Sequence, residues 1–333
     1  MRNIITLGTF LLLNCLPTFS SAQNLQGTEW AVIPDFHGQD ARKELSGAVC
    51  AGEDNEKVWC LAVNDEKKTA QFFSIEDRTI RPTERIRFLP DSEDDVEFDE
   101  IDAEGAAYDD GFVYVTGSHG LSRSSAKFRP SQFFVFRFPV NETTGKPQFE
   151  SSSDDVSGSI ERSSKLREAI QRTSPIAPFA EQSLNVNGAN IEGLAVVDGQ
   201  MFFGFRGPSL DGQAFLLEIS ADDIFDDGKP DPVVHPLGLG YGVGIRDLAR
   251  VNDGLLVLSG HVNEADIAPK IYFWNVDTEK LDPLGELPVV AGKKAETLLV
   301  LDERSENGAK KYRVLILYDG LKNGGPVEYT ISR

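Results

Sequence analysis

An internal repeat constrains this chain more than any other feature. A short opening recurs as Ser46-Gly47-Ala48-Val49, Glu104-Gly105-Ala106-Ala107, Glu192-Gly193-Leu194-Ala195, Arg246-Asp247-Leu248-Ala249 and Glu296-Thr297-Leu298-Leu299. Each opening is followed by a turn and a stronger apolar run: Val58–Val63, Phe112–Thr116, Met201–Phe205, Leu255–Ser259 and Tyr312–Tyr318. A third run follows in several copies, as in Gln132–Phe138, Ala214–Ile219 and Lys270–Val276. Helical periodicity is nearly absent. Short runs of Val, Ile, Phe and Tyr between Gly, Asp and Asn read as strands and turns.

The repeat spans about fifty residues, the length of a four-stranded propeller blade. One such sheet cannot bury both faces alone, so blades pack radially and leave only short edges. The predicted fold is therefore an all-β, β-propeller of five blades, or six if an insertion hides a degenerate one. A β-sandwich competes, but it gives no reason for a repeated opening. The last repeat is short of strands, while Glu29–Phe36 reads as a lone strand before the first. Ring closure is accordingly expected from the N-terminal strand joining the C-terminal blade beside Val327–Ile331. Between the second and third copies lies an insertion, 141–188, rich in Ser and charge. It reads as a surface lid or decoration, with a short capped helix over Ser163–Ile170.

The N-terminus has the form of a secretory signal. Arg2 precedes the apolar stretch Ile4–Leu13, and Ser20-Ser21-Ala22 supplies small residues for cleavage before Gln23. Residues 1–22 are thus expected to be removed and 23–333 to form one propeller domain, periplasmic or extracellular. Asn14 ahead of Cys15 is larger than the residue lipid attachment needs. No run is long enough to span a bilayer. Two cysteines remain, Cys50 and Cys60, on runs separated by Glu53–Lys57. In an oxidising compartment they predict a cross-strand disulfide, with two free buried thiols as the alternative. The formal charge of −20 argues against nucleic acid as a partner, since no basic stripe offsets it.

Propeller geometry brings distant residues together. The start of each first strand and the end of each second strand open on the same face. First-strand starts supply Ser46, Glu104, Glu192, Arg246 with Asp247, and Glu296; second-strand ends supply Asn64 with Asp65, His119, Arg206, His261 and Asp319. Three glutamates around a narrow axis repel one another unless a cation or an arginine intervenes. Ca²⁺ held by Glu104, Glu192 and Glu296 is one arrangement, because a hard cation takes carboxylate, carbonyl and water oxygens. An internal salt network, in which Arg206 and Arg246 neutralise those glutamates, is the other. Gly238–Gly244 imitates a dinucleotide loop, but no helix follows it. The acidic run Asp91–Glu104 matches no EF-hand spacing and reads as a solvated entry loop.

Ile191-Glu192-Gly193-Leu194-Ala195, Gly204-Phe205-Arg206-Gly207-Pro208 and Gly244-Ile245-Arg246-Asp247-Leu248-Ala249 resemble the bacterial family called domain of unknown function 3616. Glu104-Gly105, Tyr114–His119 and Leu121-Ser122-Arg123 fit the same pattern, so the resemblance covers most of residues 46–320. It implies an exported, propeller-like protein without an established activity. A more distant likeness is to the esterase-like-activity-of-phytase group.

Two functions follow as expectations. In the first, a secreted hydrolase cleaves a phosphoester or other ester. Its Ca²⁺ sits on Glu104, Glu192 and Glu296, Arg123, Arg206 and Arg246 bind the anionic group, and His119 or His261 is the general acid or base. In the second, a non-catalytic propeller presents the same mouth to a small anionic ligand or a protein, over a structural salt network.

Overall fold

Five four-stranded antiparallel units account for nearly all regular structure in the computed structural model, which describes residues 25–52, 58–123, 125–263 and 265–333. The stretch 1–22, expected as a signal, and residues 53–57, expected as a turn, lie outside the described residues. The innermost strands are Leu45–Ala51, Ala103–Asp109, Asn190–Val197, Val243–Val251 and Lys294–Glu306, each beginning at a repeated opening. The second strands are Trp59–Asn64, Phe112–Gly117, Gln200–Gly207, Gly254–His261 and Ala309–Asp319. The chain forms a five-bladed β-propeller, numbered here from blade one to blade five in sequence order.

Apolar side chains pack between neighbouring blades. One cluster joins Leu61 and Phe72 of blade one to Val115 and Phe136 of blade two. Others join blades two and three, three and four, and four and five. A fifth sets Leu299, Leu315 and Leu317 of blade five against Leu45, Ala62 and Phe73 of blade one. The segment expected as one strand, Glu29–Phe36, is instead two short pieces. Thr28–Glu29 pairs antiparallel with Val327–Glu328 at the edge of blade five, and Ala31–Val32 pairs parallel with Thr79–Ile80 at the edge of blade one. The Trp30 indole between them donates to Glu328 at 3.0 Å.

Of residues 141–188, expected as a surface insertion, the part from Glu161 onward is built into the propeller. Glu161–Ser163 is the outer strand of blade two. Helix Lys165–Arg172 follows, and its Leu166 and Ile170 join the core between blades two and three. Ser164 at the N-cap position makes no side-chain bond to the helix, but the Ser163 hydroxyl accepts the Lys165 N–H at 3.3 Å, and burial of one face adds to that cap.

Cys50 and Cys60 face each other across the first two strands of blade one and are disulfide-bonded. The bridge closes a loop of ten residues. Replacing both with alanine is expected to cost about 2–3 kcal/mol of stability, chiefly by freeing the unfolded chain. A thermal melt of the double variant against wild type checks this, and an unchanged midpoint contradicts it.

Candidate functional site

Each innermost strand carries an irregularity at the same place. Pairing skips Ser46 in blade one and Glu104 in blade two. It skips Glu192, Arg246 and Glu296 in blades three, four and five. A bulge of this kind leaves one residue out of the ladder and re-aims its side chain. The residue after it is glycine in blades one to three because the next blade is so close. A Cβ on Gly105 would stand 2.8 Å from the Leu194 backbone nitrogen, and one on Gly193 would stand 2.8 Å from the Leu248 side chain. In blade four the equivalent residue is Asp247. Its carboxylate accepts the Leu248 N–H at 2.8 Å and the Leu298 N–H at 2.7 Å, tying blade four to blade five. Burial raises the Asp247 pKa well above the usual value despite those two donors.

Three of the bulged residues, Glu192, Arg246 and Glu296, meet in a buried ion chain with Arg206. Glu192 accepts from Arg206 Nη1 at 2.6 Å through one oxygen and from Arg246 Nη1 at 2.8 Å through the other. Arg246 Nη1 also lies 2.8 Å from Glu296 Oε1, and its Nη2 donates to the His261 carbonyl at 2.7 Å. Arg206 Nε donates to the Val262 carbonyl at 2.8 Å. Burial alone would push the Glu192 pKa up, but Arg206 and Arg246 outweigh it and hold that carboxyl below the usual range. Glu296 is pushed up to about 7 by burial and by Glu192, with Arg246 opposing. Arg246 thus stands between Glu192 and Glu296, where the sequence reading set a calcium ion. Among the described residues, no three His, Cys, Asp or Glu side chains are grouped as metal ligands.

Above this chain opens the mouth, a cavity of about 430 Å³ lined by nine carboxylates against four cationic side chains, Arg123, Arg129, Arg206 and Lys294. Lys294 lies 3.7 Å from Asp319, and Arg129 pairs with Glu100. The remaining acids crowd one another. Burial, then Asp102, Glu296, Glu44 and Glu66, push the Asp65 carboxyl up to about 9. Asp102 is pushed up to about 6, chiefly by burial, although Ser118 donates to it. Glu104 is raised well above the usual value by burial and then by Glu192, Asp102, Asp65 and Glu296. Glu44, partly buried and in hydrogen-bond contact with Asp319, is pushed up to about 7.

The other expected site residues are placed differently. His119 is 3% exposed, lies edge-on to Phe133 at 5.7 Å between ring centroids, and neither ring nitrogen has a partner. Burial lowers its pKa to about 3, so it is neutral, and it does not line the mouth. His261 lines a separate groove of about 190 Å³ between blades four and five, and its Nδ1 accepts the Asn263 N–H at 3.0 Å. Arg246 is spent on Glu192 and Glu296, whereas Arg123 does line the mouth. The sequence reading passed over Glu44, Asp102 and Asn190. Asp102 had a signal only in its place, at the end of the acidic run and next to the repeated opening at Glu104. The acidic entry run Asp91–Glu104 therefore ends inside the mouth rather than in solvent.

A family model described as "Protein of unknown function (DUF3616)" matches residues 46–325. The chain belongs to the DUF3616 family. No curated protein matches it. Two solved structures are similar to this family member. One is MPT-1, a GDP-Man-dependent mannosyltransferase from Leishmania mexicana, at 10% identity and a TM-score of 0.42 over 94% of this chain and 90% of that one. The other is an exo-beta-1,3-galactanase from Clostridium thermocellum, at 9% identity and 0.47 over 92% of this chain and 62% of that one. Superpositions this loose decide nothing about activity. No helix among the described residues is long and apolar enough to cross a membrane.

Proposed function

We propose that this DUF3616 protein is a binding propeller whose mouth takes up a positively charged ligand. The observation that carries the reading is the charge of the lining, nine carboxylates to four cations. Burial and the repulsion of neighbouring acids hold the Asp65, Asp102 and Glu104 carboxyls above their usual range, so negative charge is crowded in the mouth. A bound cation relieves that repulsion, while a free phosphate or carboxylate entering the same space meets it.

The metal-dependent ester hydrolase is less well supported. Both oxygens of Glu192 are taken by guanidinium groups, and neither histidine is at the mouth. Ca²⁺ remains one cation that the free carboxylates of the mouth would accept, and spermidine is another. At low salt, either is expected to raise the melting temperature by several degrees, and the Asp65→Asn/Glu104→Gln double variant is expected to lose that rise. Phosphate is expected to give none. A rise with phosphate in place of the cations overturns the reading, as does ester turnover with Ca²⁺ that disappears in Glu104→Gln.

A further inference from the structure

The mouth is not acidic all round. Glu44, Asp65 and Asp319 line it from blades one and five, and Asp102 and Glu104 from the entry to blade two. Arg123 and Arg129 line it from the loop after the second strand of blade two, and Asn190 and Arg206 from blade three. Arg206 is 2% exposed, and its Nε and Nη1 are committed to the Val262 carbonyl and Glu192. Its Nη2 has no hydrogen-bond partner, and neither does the Asn190 Oδ1. A buried guanidinium nitrogen with nothing to receive its proton is costly, and such groups in folded proteins are normally matched. A ligand oxygen in the mouth would match it.

We infer that the ligand of the mouth is dipolar, with an ammonium group against the acidic wall and an oxyanion against Arg206. This rests on the reading of the mouth as a cation-accepting site and adds the opposite end of the ligand. A simple cation leaves Arg206 unmatched, and a simple anion is repelled by the acidic excess. A zwitterion satisfies both walls, and the charge-assisted bond to the guanidinium sets its orientation. The cavity of about 430 Å³ admits a molecule of dipeptide size.

Three matched probes test this by calorimetry on the full chain: the dipeptide Lys-Ala, its C-terminal amide, and acetyl-alanine. Lys-Ala is expected to bind at least about tenfold more tightly than the amide, as one charge-assisted contact implies, and acetyl-alanine is expected not to bind. Arg206→Gln is expected to bring Lys-Ala down to the affinity of the amide. That variant also strips a partner from Glu192 and can unfold, so Asn190→Asp serves beside it. A negative charge at position 190 is expected to abolish the preference for Lys-Ala while the amide still binds. Equal binding of Lys-Ala and its amide to wild type overturns the dipolar ligand and leaves the cation reading standing. A preference that survives Asn190→Asp overturns the placement of the oxyanion. Failure of Lys-Ala, the amide and spermidine alike overturns both.

Discussion

Arg246→Met is expected to be the most damaging single change in the buried ion chain. The guanidinium donates to Glu192, Glu296 and the His261 carbonyl from a position 2% exposed. Its loss leaves the Glu296 carboxylate buried and Glu192 with Arg206 alone. Removing one partner of a buried ionic network costs about 3–5 kcal/mol, because the remaining charge is stranded away from water. For a domain of this size that corresponds to a fall in melting temperature on the order of 10 °C. Arg246→Lys is expected to recover little of it, since a single ammonium cannot reproduce a planar fork serving acceptors on three blades. Adding Glu296→Gln to Arg246→Met is expected to recover part of it by removing the stranded charge. A melting curve for Arg246→Met that overlays wild type would show that the ion chain contributes nothing to the fold.

The second large effect is on pH. Asp65 ionises near 3.8 when unfolded but at about 9 when folded, and Asp102 moves from 3.8 to about 6. Glu296 moves from 4.5 to about 7. Between those limits the folded protein keeps protons that the unfolded chain has released, so stability falls as pH rises through the folded values. Below pH 4 the direction reverses. Glu192 and Glu328 are held under the usual carboxyl range by their arginines, and the stability they contribute is lost as pH falls through their folded values. The melting temperature is therefore expected to peak near pH 4 and to fall by on the order of 5 °C between pH 5 and pH 8 at low salt. Glu104→Gln is expected to raise the melting temperature at pH 8 and to flatten the slope, since it removes one of the crowded charges. Spermidine at pH 8 is expected to do the same by replacing the missing protons with bound positive charge. A melting temperature that climbs from pH 5 to pH 8 would mean that the mouth acids are not crowded in solution.

The blades were legible because a blade is a local object. Its hairpins join runs that lie close in sequence, and the alternation of apolar run and turn fixes where each strand starts. That logic placed all five openings at the starts of innermost strands, and it paired Cys50 with Cys60 across one hairpin. It failed where a segment serves two blades, as residues 28–32 do, and where an irregular stretch supplies an outer strand and a core helix, as 161–172 does. Such pieces have weak periodicity of their own and are held by partners far along the chain.

For the site, the sequence alone determined which residues meet: Glu104, Glu192, Arg206, Arg246 and Glu296 sit at repeated positions, and a propeller carries repeated positions to one axis. It also determined that positive and negative charges would share that space. Only the tertiary structure decided the pairing. Bulges re-aim the five side chains, so Arg246 fills the gap between Glu192 and Glu296, while His119 is buried against Phe133 and kept neutral. Which charges are satisfied and which are left crowded depends on ångström-scale distances and local desolvation, and neither is written in spacing along the chain.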